Sequence, residues 1–143
     1  NWASRGLGDV YKRQVIVVYA KCLSHWLFSG LPIILIAPLC SYIFSGYSEN
    51  NLNLFISLIL ATPIFTLIGS PISALMLGSS LRGAALTFIT LPFYLPIIIF
   101  GVMGTNINNS NINAEFYLLL AILSIGIIFF PMITVKILKN IIN

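Results

Sequence analysis

Charge is the property that this chain has least of. Of its 143 residues only 7% are charged, whereas 59% are apolar, and the mean hydropathy is +1.03. A soluble domain usually carries about 25% charged residues, so this composition cannot cover a folded body with a water-facing surface. The scarcity of charge therefore excludes an ordinary soluble domain and predicts a membrane protein.

Several catalytic and energy-coupling motifs are also missing from the sequence. There is no G-x-x-x-x-G-K-[ST] phosphate loop, which excludes ATP hydrolysis by this chain itself. There is no H-E-x-x-H, no G-x-S-x-G and no pair of carboxylates for acid–base chemistry, so we expect no enzyme. The long apolar runs contain no carboxylate, which excludes the acidic relays of proton- or sodium-coupled carriers. If the protein moves a substrate, a partner must supply the energy.

Metal-binding and nucleic-acid-binding patterns are absent as well. Cys22 and Cys40 are far apart and form neither a C-x-x-C pair nor zinc or haem-attachment spacing, so we predict no metal site and interpret both as packing residues. The net charge of +4 does not indicate a nucleic-acid partner, because Arg5, Lys12 and Arg13 lie in an N-terminal segment of doubtful origin. The other basic residues are ordinary helix-end charges.

That N-terminal segment needs a separate interpretation. Residues 4–14, SRGLGDVYKRQ, resemble the translation of a sequencing-library adaptor. We therefore interpret residues 1–14 as an assembly scar that is not native, and exclude them from fold reasoning. Residues 15–143 are then expected to be the C-terminal fragment of a longer protein.

The chain does contain four uncharged apolar runs of 20 or more residues. A helix of that length crosses the roughly 30 Å of hydrocarbon in a bilayer. We predict an all-α membrane protein, a polytopic bundle of four transmembrane helices. The spans are expected at about 27–46, 52–77, 83–104 and 116–135.

The distribution of charge predicts the orientation of these spans. The acidic residues Glu49 and Glu115 fall on one side of the membrane. The basic residues share the other side, and they are Lys21, Arg82, Lys136 and Lys139. The positive-inside rule places that basic side in the cytoplasm, so we predict a cytoplasmic C-terminus and a cytoplasmic turn at 78–82.

All seven prolines lie inside the predicted spans. Membrane helices tolerate proline because hydroxyl groups and neighbouring helices can satisfy the carbonyls that it frees. Pro92 and Pro96, which flank Tyr94, are the best candidates for a hinge or a substrate path, with kinked packing as the alternative. The hydroxyls expected to bond freed carbonyls are those of Thr62, Thr66, Ser70 and Thr90.

Small residues form a stripe on the second span. Ser70, Ala74 and Gly78 are spaced four residues apart, which puts them on one helix face. Such faces allow two helix backbones to approach closely. We predict that the stripe packs against another helix.

Three segments resemble a known family. They are SHWL at 24–27 followed by GLP at 30–32, TP at 62–63, and LGSSLRGAALTFITLPFYLPIIIFG at 77–101. Together they resemble the haem exporter protein B family, the membrane-spanning B component of cytochrome c maturation systems. The resemblance runs from about Val15 to the C-terminus. The chain departs from the family pattern at Ala61 and Ala84, where glycine is common, and its inner turn carries one basic residue where two are frequent.

The resemblance implies a partial ABC-type permease domain over residues 15–143, in a bacterial inner membrane. Its implied partners are a separate ABC ATPase subunit, other membrane subunits of cytochrome c maturation, and membrane lipid. The implied function couples the ATPase to haem delivery or to release of a haem chaperone in the periplasm. The alternative is a non-transporting scaffold of the same complex. Full-length relatives look like six-span proteins, so about two helices would precede this fragment.

Two groups of residues are candidates for these roles. Ser80, Arg82 and Gly83, in and after the inner turn, are candidates for partner contact and coupling. Haem is the ligand that such a system transports or handles, although no cofactor is assigned to this chain. Imidazole binds iron, so His25 with its neighbour Trp26 is a candidate haem contact. The alternative is a pair of interfacial residues at the membrane boundary.

Overall fold

The structure is a computed structural model that describes residues 2–47, 50–78, 83–105 and 114–142. These residues form four α-helices: α1 (Trp2–Ser45), α2 (Asn50–Gly78), α3 (Gly83–Met103) and α4 (Ala114–Ile142). Each helix is long enough and apolar enough to cross a membrane. The predicted all-α bundle of four membrane helices is therefore confirmed.

The first and last helices are longer than the predicted spans. α1 is one continuous helix that begins at Trp2 rather than near residue 27, and α4 continues to Ile142 rather than ending near residue 135. The reason is that an apolar run marks only the part of a helix that lies in hydrocarbon. Between Val15 and Ser29 there is neither proline nor glycine, so nothing in that stretch interrupts the helical hydrogen bonds.

α2 is the central helix of the bundle. It packs against α1, α3 and α4, while α4 also contacts α1 and α3. Among the described residues, no Cα atom of α1 lies within 8 Å of a Cα atom of α3. The buried core joins α2, α3 and α4, and it consists of Ala61, Ile64, Ile68, Ile97 and Leu119.

The outer surface of the bundle is apolar. Phe28 and Phe44 on α1 are 84% and 87% exposed, and large apolar side chains are exposed on all four helices. Exposed apolar area of this extent is unfavourable in water but natural against lipid. The surface thus agrees with the membrane assignment.

Side chains tie the connection between α1 and α2. Gly46 follows α1 with φ at +73°, a left-handed conformation that glycine adopts without strain, and its N–H donates to the Tyr42 carbonyl at 2.9 Å. The Asn51 amide donates to the Gly46 carbonyl at 3.2 Å, and the Ser41 hydroxyl donates to Asn51 Oδ1 at 2.8 Å. These bonds fasten the end of α1 to the first turn of α2.

Ser70 satisfies a carbonyl that a proline frees. Proline lacks an N–H, so it leaves the carbonyl four residues earlier without its helical donor. Pro71 frees the Leu67 carbonyl in this way, and the Ser70 hydroxyl donates to it at 2.9 Å. This agrees with the role predicted for Ser70.

The other three hydroxyls predicted for that role bond different carbonyls. Pro63 and Pro92 free the carbonyls of residues 59 and 88, which none of the three contacts. A hydroxyl on a helix reaches only the carbonyls three or four residues earlier. Thr62 could reach the freed carbonyl of Ile59 but bonds that of Leu58 instead, and Thr66 and Thr90 have no freed carbonyl within reach. The observed pairs are Thr62 with Leu58, Thr66 with Pro63, and Thr90 with Thr87.

A second freed carbonyl is satisfied across the bundle. Pro131 leaves the Ile127 carbonyl of α4 without a helical donor, and the Tyr19 hydroxyl of α1 donates to it. The two residues are separated by 108 positions in the sequence. This bond joins α1 to α4, the first and last helices of the chain.

Candidate functional site

A cavity of about 510 Å³ lies between α1, α2 and the C-terminal half of α4. Its volume falls in the range of roughly 300–1,000 Å³ that is usual for small-molecule sites. Tyr94 is the side chain that α3 contributes, and Thr134 and Leu138 are those from α4. The cavity is the best-formed candidate site among the described residues.

The wall formed by α1 follows from helical periodicity. Lys21, Cys22, His25 and Ser29 are spaced three or four residues apart, or adjoin such a position, so they share one face of the helix. Val18 continues this face toward the N-terminus and is buried. The single histidine of the chain thus points into the cavity together with a lysine and a cysteine.

The wall formed by α2 carries hydroxyl groups, but these hydroxyls already donate their protons to backbone carbonyls. Thr66 donates to the Pro63 carbonyl and Ser73 to the Ser70 carbonyl, each at 2.8 Å. On the facing wall, the Ser29 hydroxyl donates to the His25 carbonyl at the same distance. A hydroxyl has only one proton to donate, so these side chains offer a ligand acceptor lone pairs and carbon rather than donors.

The two residues predicted as a haem contact are separated by the structure. His25 lines the cavity, and its Nδ1 lies 3.4 Å from the Ser29 hydroxyl oxygen. Trp26 is not among the lining residues, and it donates its indole N–H to Thr62 Oγ1 of α2 at 2.9 Å. Among the described residues no three His, Cys, Asp or Glu side chains gather as a metal site. A haem contact at His25 stays a prediction.

Trp26 instead bridges α1 and α2. Gly30 makes room for the indole, because a Cβ at that position would come within 2.8 Å of the ring carbon Cδ1. The bond to the Thr62 hydroxyl satisfies the indole donor without water.

The bond between Trp26 and Thr62 can be tested by a double-mutant cycle. We expect Trp26→Phe to lower the free energy of unfolding by about 0.6 kcal/mol, and at most about 1.7 kcal/mol, the range of interhelical hydrogen bonds in membranes. In a Thr62→Val background the same change should cost less, because the acceptor is already gone. Unfolding in detergent micelles measures both. Equal costs in the two backgrounds would contradict the bond.

Tyr94 and the two neighbouring prolines are also separated. The Tyr94 ring packs edge-on against Phe65, with centroids 5.0 Å apart, and its hydroxyl lies 3.4 Å from the Phe65 carbonyl. Tyr94 also lines the cavity, as Phe65 does. Pro92 and Pro96 are exposed on α3, which remains helical through both. The predicted hinge or substrate path at these residues stays a prediction, and only Tyr94 reaches the cavity.

The small-residue stripe of α2 lies toward α4. The Ser70 hydroxyl is 3.0 Å from that of Thr134, and Ala74 is buried. Gly78 lies so close to Ile141 that a Cβ there would overlap its side chain. Ser70 and Ala74 also line the cavity. The stripe thus serves both helix packing and the cavity wall.

The predicted coupling residues are only partly described. Ser80 and Arg82 lie outside the described residues, and Gly83 is the first residue of α3. A Cβ at Gly83 would lie 3.0 Å from the Met76 methyl group. The prediction that these three residues contact a partner stays a prediction.

Sequence reasoning missed the residues that complete the site. Lys21 and Cys22 stand four and three positions before His25, so helical spacing alone could have grouped them with it. Thr134, which closes the cavity from α4, gave no such signal, because nothing local shows which helix packs beside which.

Comparison with known proteins places the chain in a family. The family model described as CcmB protein matches residues 11–140, which includes four residues of the segment interpreted above as a scar, and that interpretation stays a prediction. Heme exporter protein B of Pseudomonas aeruginosa is 38% identical over 86 residues, which is 60% of this chain and 39% of the relative. The Rhodobacter capsulatus protein of that name is 39% identical over 85 residues, 59% of this chain and 39% of the relative.

A third relative matches over a longer stretch. Heme exporter protein B of Bradyrhizobium diazoefficiens is 27% identical over 115 residues, which is 78% of this chain and 52% of the relative. The chain thus spans about two fifths to one half of the length of these curated relatives. The family match over residues 11–140 confirms the resemblance seen in the sequence, and the chain belongs to the CcmB protein family.

Proposed function

We propose that this chain is part of the membrane subunit of an ABC-type haem exporter that serves cytochrome c maturation. The observation that carries the proposal is the family match over residues 11–140, together with relatives named heme exporter protein B. Four helices that can each span a membrane supply the body of such a subunit. The proposed location is the bacterial inner membrane, with the C-terminus in the cytoplasm.

In this proposal the energy comes from a separate ATPase on the cytoplasmic side. The chain has no phosphate loop, and its basic residues favour a cytoplasmic turn between α2 and α3. Ser80, Arg82 and Gly83 in and beside that turn are the proposed contact with the ATPase. α2 supports the coupling role because it packs against the other three helices, so a displacement at its C-terminal end reaches all of them.

We propose that the subunit transmits this motion toward haem delivery or release of a haem chaperone in the periplasm. Transmission requires packed helices and a contact with the ATPase, but no reacting group, so the proposed role is that of a permease subunit rather than an enzyme. The other membrane subunits of cytochrome c maturation are its proposed partners. A scaffold that only assembles these partners is the competing role.

A chimeric protein tests the proposal. The segment of the Pseudomonas aeruginosa protein that matches this chain is replaced by the corresponding residues of this chain, and the chimera is expressed in a strain that lacks its own heme exporter protein B. We expect haem-stained c-type cytochromes to return, because the family fold is preserved. Absence of c-type cytochromes from a strain with a stable, membrane-inserted chimera would contradict the proposal.

Arg82→Gln in the chimera separates coupling from scaffolding. We expect the ATPase and the other subunits to co-purify while c-type cytochromes fall toward the level of the deletion strain. Lys139→Gln is the matched control, since it removes the same charge from the last turn of α4, and it should leave the cytochromes unchanged. Normal cytochromes with Arg82→Gln would favour the scaffold.

A further inference from the structure

Lys21 is a cation at the cavity without a nearby carboxylate in the described part of the chain. The acidic side chains there are Asp9 and Glu115. Asp9 lies twelve residues earlier on α1, about 18 Å along the helix axis. Glu115 lies nineteen residues before Thr134, which shares the cavity with Lys21, and so is about 28 Å away. Within the described part of the chain, the ammonium group therefore has no carboxylate partner and can attract an anion.

The length of the cavity matches one leaflet of a bilayer. Along α1 its lining runs from Val18 to Ile33, and the part from Lys21 to Ile33 covers twelve residues or about 18 Å of helix. Half of the hydrocarbon core is about 15 Å thick. With Lys21 at the headgroup level, where charge patterning places it, Ile33 falls near the middle of the membrane.

The cavity is open toward the lipid-facing surface. Its back wall includes Ala74 and Thr134, which are 3% and 4% exposed. Its rim includes Ile33 and Leu77, which are 51% and 76% exposed. It is therefore a groove that a lipid molecule can enter sideways without passing through the bundle.

The chemistry of the groove changes along its length. Lys21 and His25 stand together at one end, and they are the nitrogen-bearing side chains of the lining. Beyond them, toward Ile33, the hydroxyls of Ser29 and Thr62 have donated their protons to their own helices, and Gly30 and Ile33 present carbon. A ligand that suits both parts has an anionic head and an apolar chain.

We propose that this groove binds an anionic phospholipid of the cytoplasmic leaflet. The phosphate lies at Lys21, with His25 beside it, and an acyl chain extends between α1 and α2 toward Ile33. A small soluble anion does not satisfy the apolar length of the groove, and a neutral lipid does not satisfy the lysine. The inference does not rest on the proposed role in haem export.

Native mass spectrometry of the full chain in detergent tests this site. Phosphatidylglycerol and phosphatidylethanolamine with identical acyl chains are the probes, and we expect phosphatidylglycerol to be retained preferentially. Lys21→Gln should weaken its binding roughly fivefold, the effect of about one interfacial charge. Lys139→Gln removes an exposed charge of the same predicted side that does not line the groove, and should change binding little.

A second pair of variants tests whether the lipid occupies the groove itself. Ser73→Phe places a ring at the exposed rim and should reduce retention of phosphatidylglycerol, whereas Leu75→Phe, exposed and outside the lining, should not. Circular dichroism shows that each variant is folded. The proposed site would be wrong if Lys21→Gln and Lys139→Gln weakened phosphatidylglycerol binding equally. It would also be wrong if Ser73→Phe left the retention of phosphatidylglycerol unchanged.

Haem is another ligand that combines an anionic part with an apolar part, because it joins carboxylates to an apolar ring. Haemin is therefore added at an equimolar concentration to the lipid-bound protein. Retention of phosphatidylglycerol supports the lipid site, and its displacement by haemin overturns it. The assay does not measure cytochromes, so its failure is distinguishable from failure of the chimera.

Discussion

Replacing Gly101 with leucine is expected to lower the free energy of unfolding by roughly 1–3 kcal/mol, the usual cost of overpacking a tight contact. Gly101 is buried on α3, and a Cβ there would lie 3.3 Å from the Ser57 hydroxyl oxygen and 4.0 Å from the Ala61 methyl group. The Ser57 hydroxyl also donates to the Gly101 carbonyl. A leucine would push α3 away from α2 and stretch this bond. Lipid offers no compensating gain from burying the added methyl groups, because they are equally apolar outside.

The measurement is unfolding in detergent micelles followed by circular dichroism. Val102→Leu is the matched control, since it enlarges the next side chain on a face that is 60% exposed, and it should change stability little. The loss of stability with Gly101→Ala should lie between those of Gly101→Leu and Val102→Leu, because the neighbouring Ser57 side chain needs to move by only a few tenths of an ångström to admit the methyl group. Equal effects of Gly101→Leu and Val102→Leu would contradict a close approach of the two helices.

Tyr19→Phe is the second change with a large expected effect. It removes the donor that satisfies the Ile127 carbonyl of α4, which Pro131 leaves without a helical partner. An unsatisfied polar group away from water costs about 1–3 kcal/mol. We expect the free energy of unfolding to fall by about 1–1.7 kcal/mol, the upper part of the range for interhelical hydrogen bonds in membranes, and α1 to separate from α4 more readily.

Pro131→Ala provides the internal control for this effect. Alanine restores the N–H that can bond the Ile127 carbonyl, so Tyr19→Phe should cost distinctly less in the Pro131→Ala background. Tyr42→Phe, on an exposed tyrosine near the opposite end of α1, should cost little in either background. The mechanism is wrong if Tyr19→Phe has the same cost with and without the proline.

The number and type of the elements could be predicted from the sequence because lipid imposes a simple rule. Every backbone group must bond within the chain, so an uncharged run of 20 residues becomes a helix. The start of α1 could not be found in this way, because the same rule does not say where a helix continues into water. The role of Ser70 was also predictable, since its partner Leu67 lies three residues away on the same helix.

The candidate site was only half predictable, for a physical reason. The spacing of Lys21 and His25 fixes one wall, because a helix determines which of its own side chains share a face. The opposite wall depends on how helices pack, and helices that are apolar all round carry little information about which face turns inward. The bond from Tyr19 to Ile127 and that from Trp26 to Thr62 both belong to this second class.

The fastening of α1 to α2 at Gly46 and Asn51 determines where the groove can change its width. Ser41, Asn51 and the Gly46 carbonyl hold the two helices together at one extremity, whereas Lys21 lies at the other. The end beside the lysine is therefore the one that can widen while the junction at Gly46 stays intact. Widening there also requires two other bonds to open, because Trp26 joins α1 to Thr62 of α2 and Tyr19 joins α1 to Ile127 of α4 near that mouth.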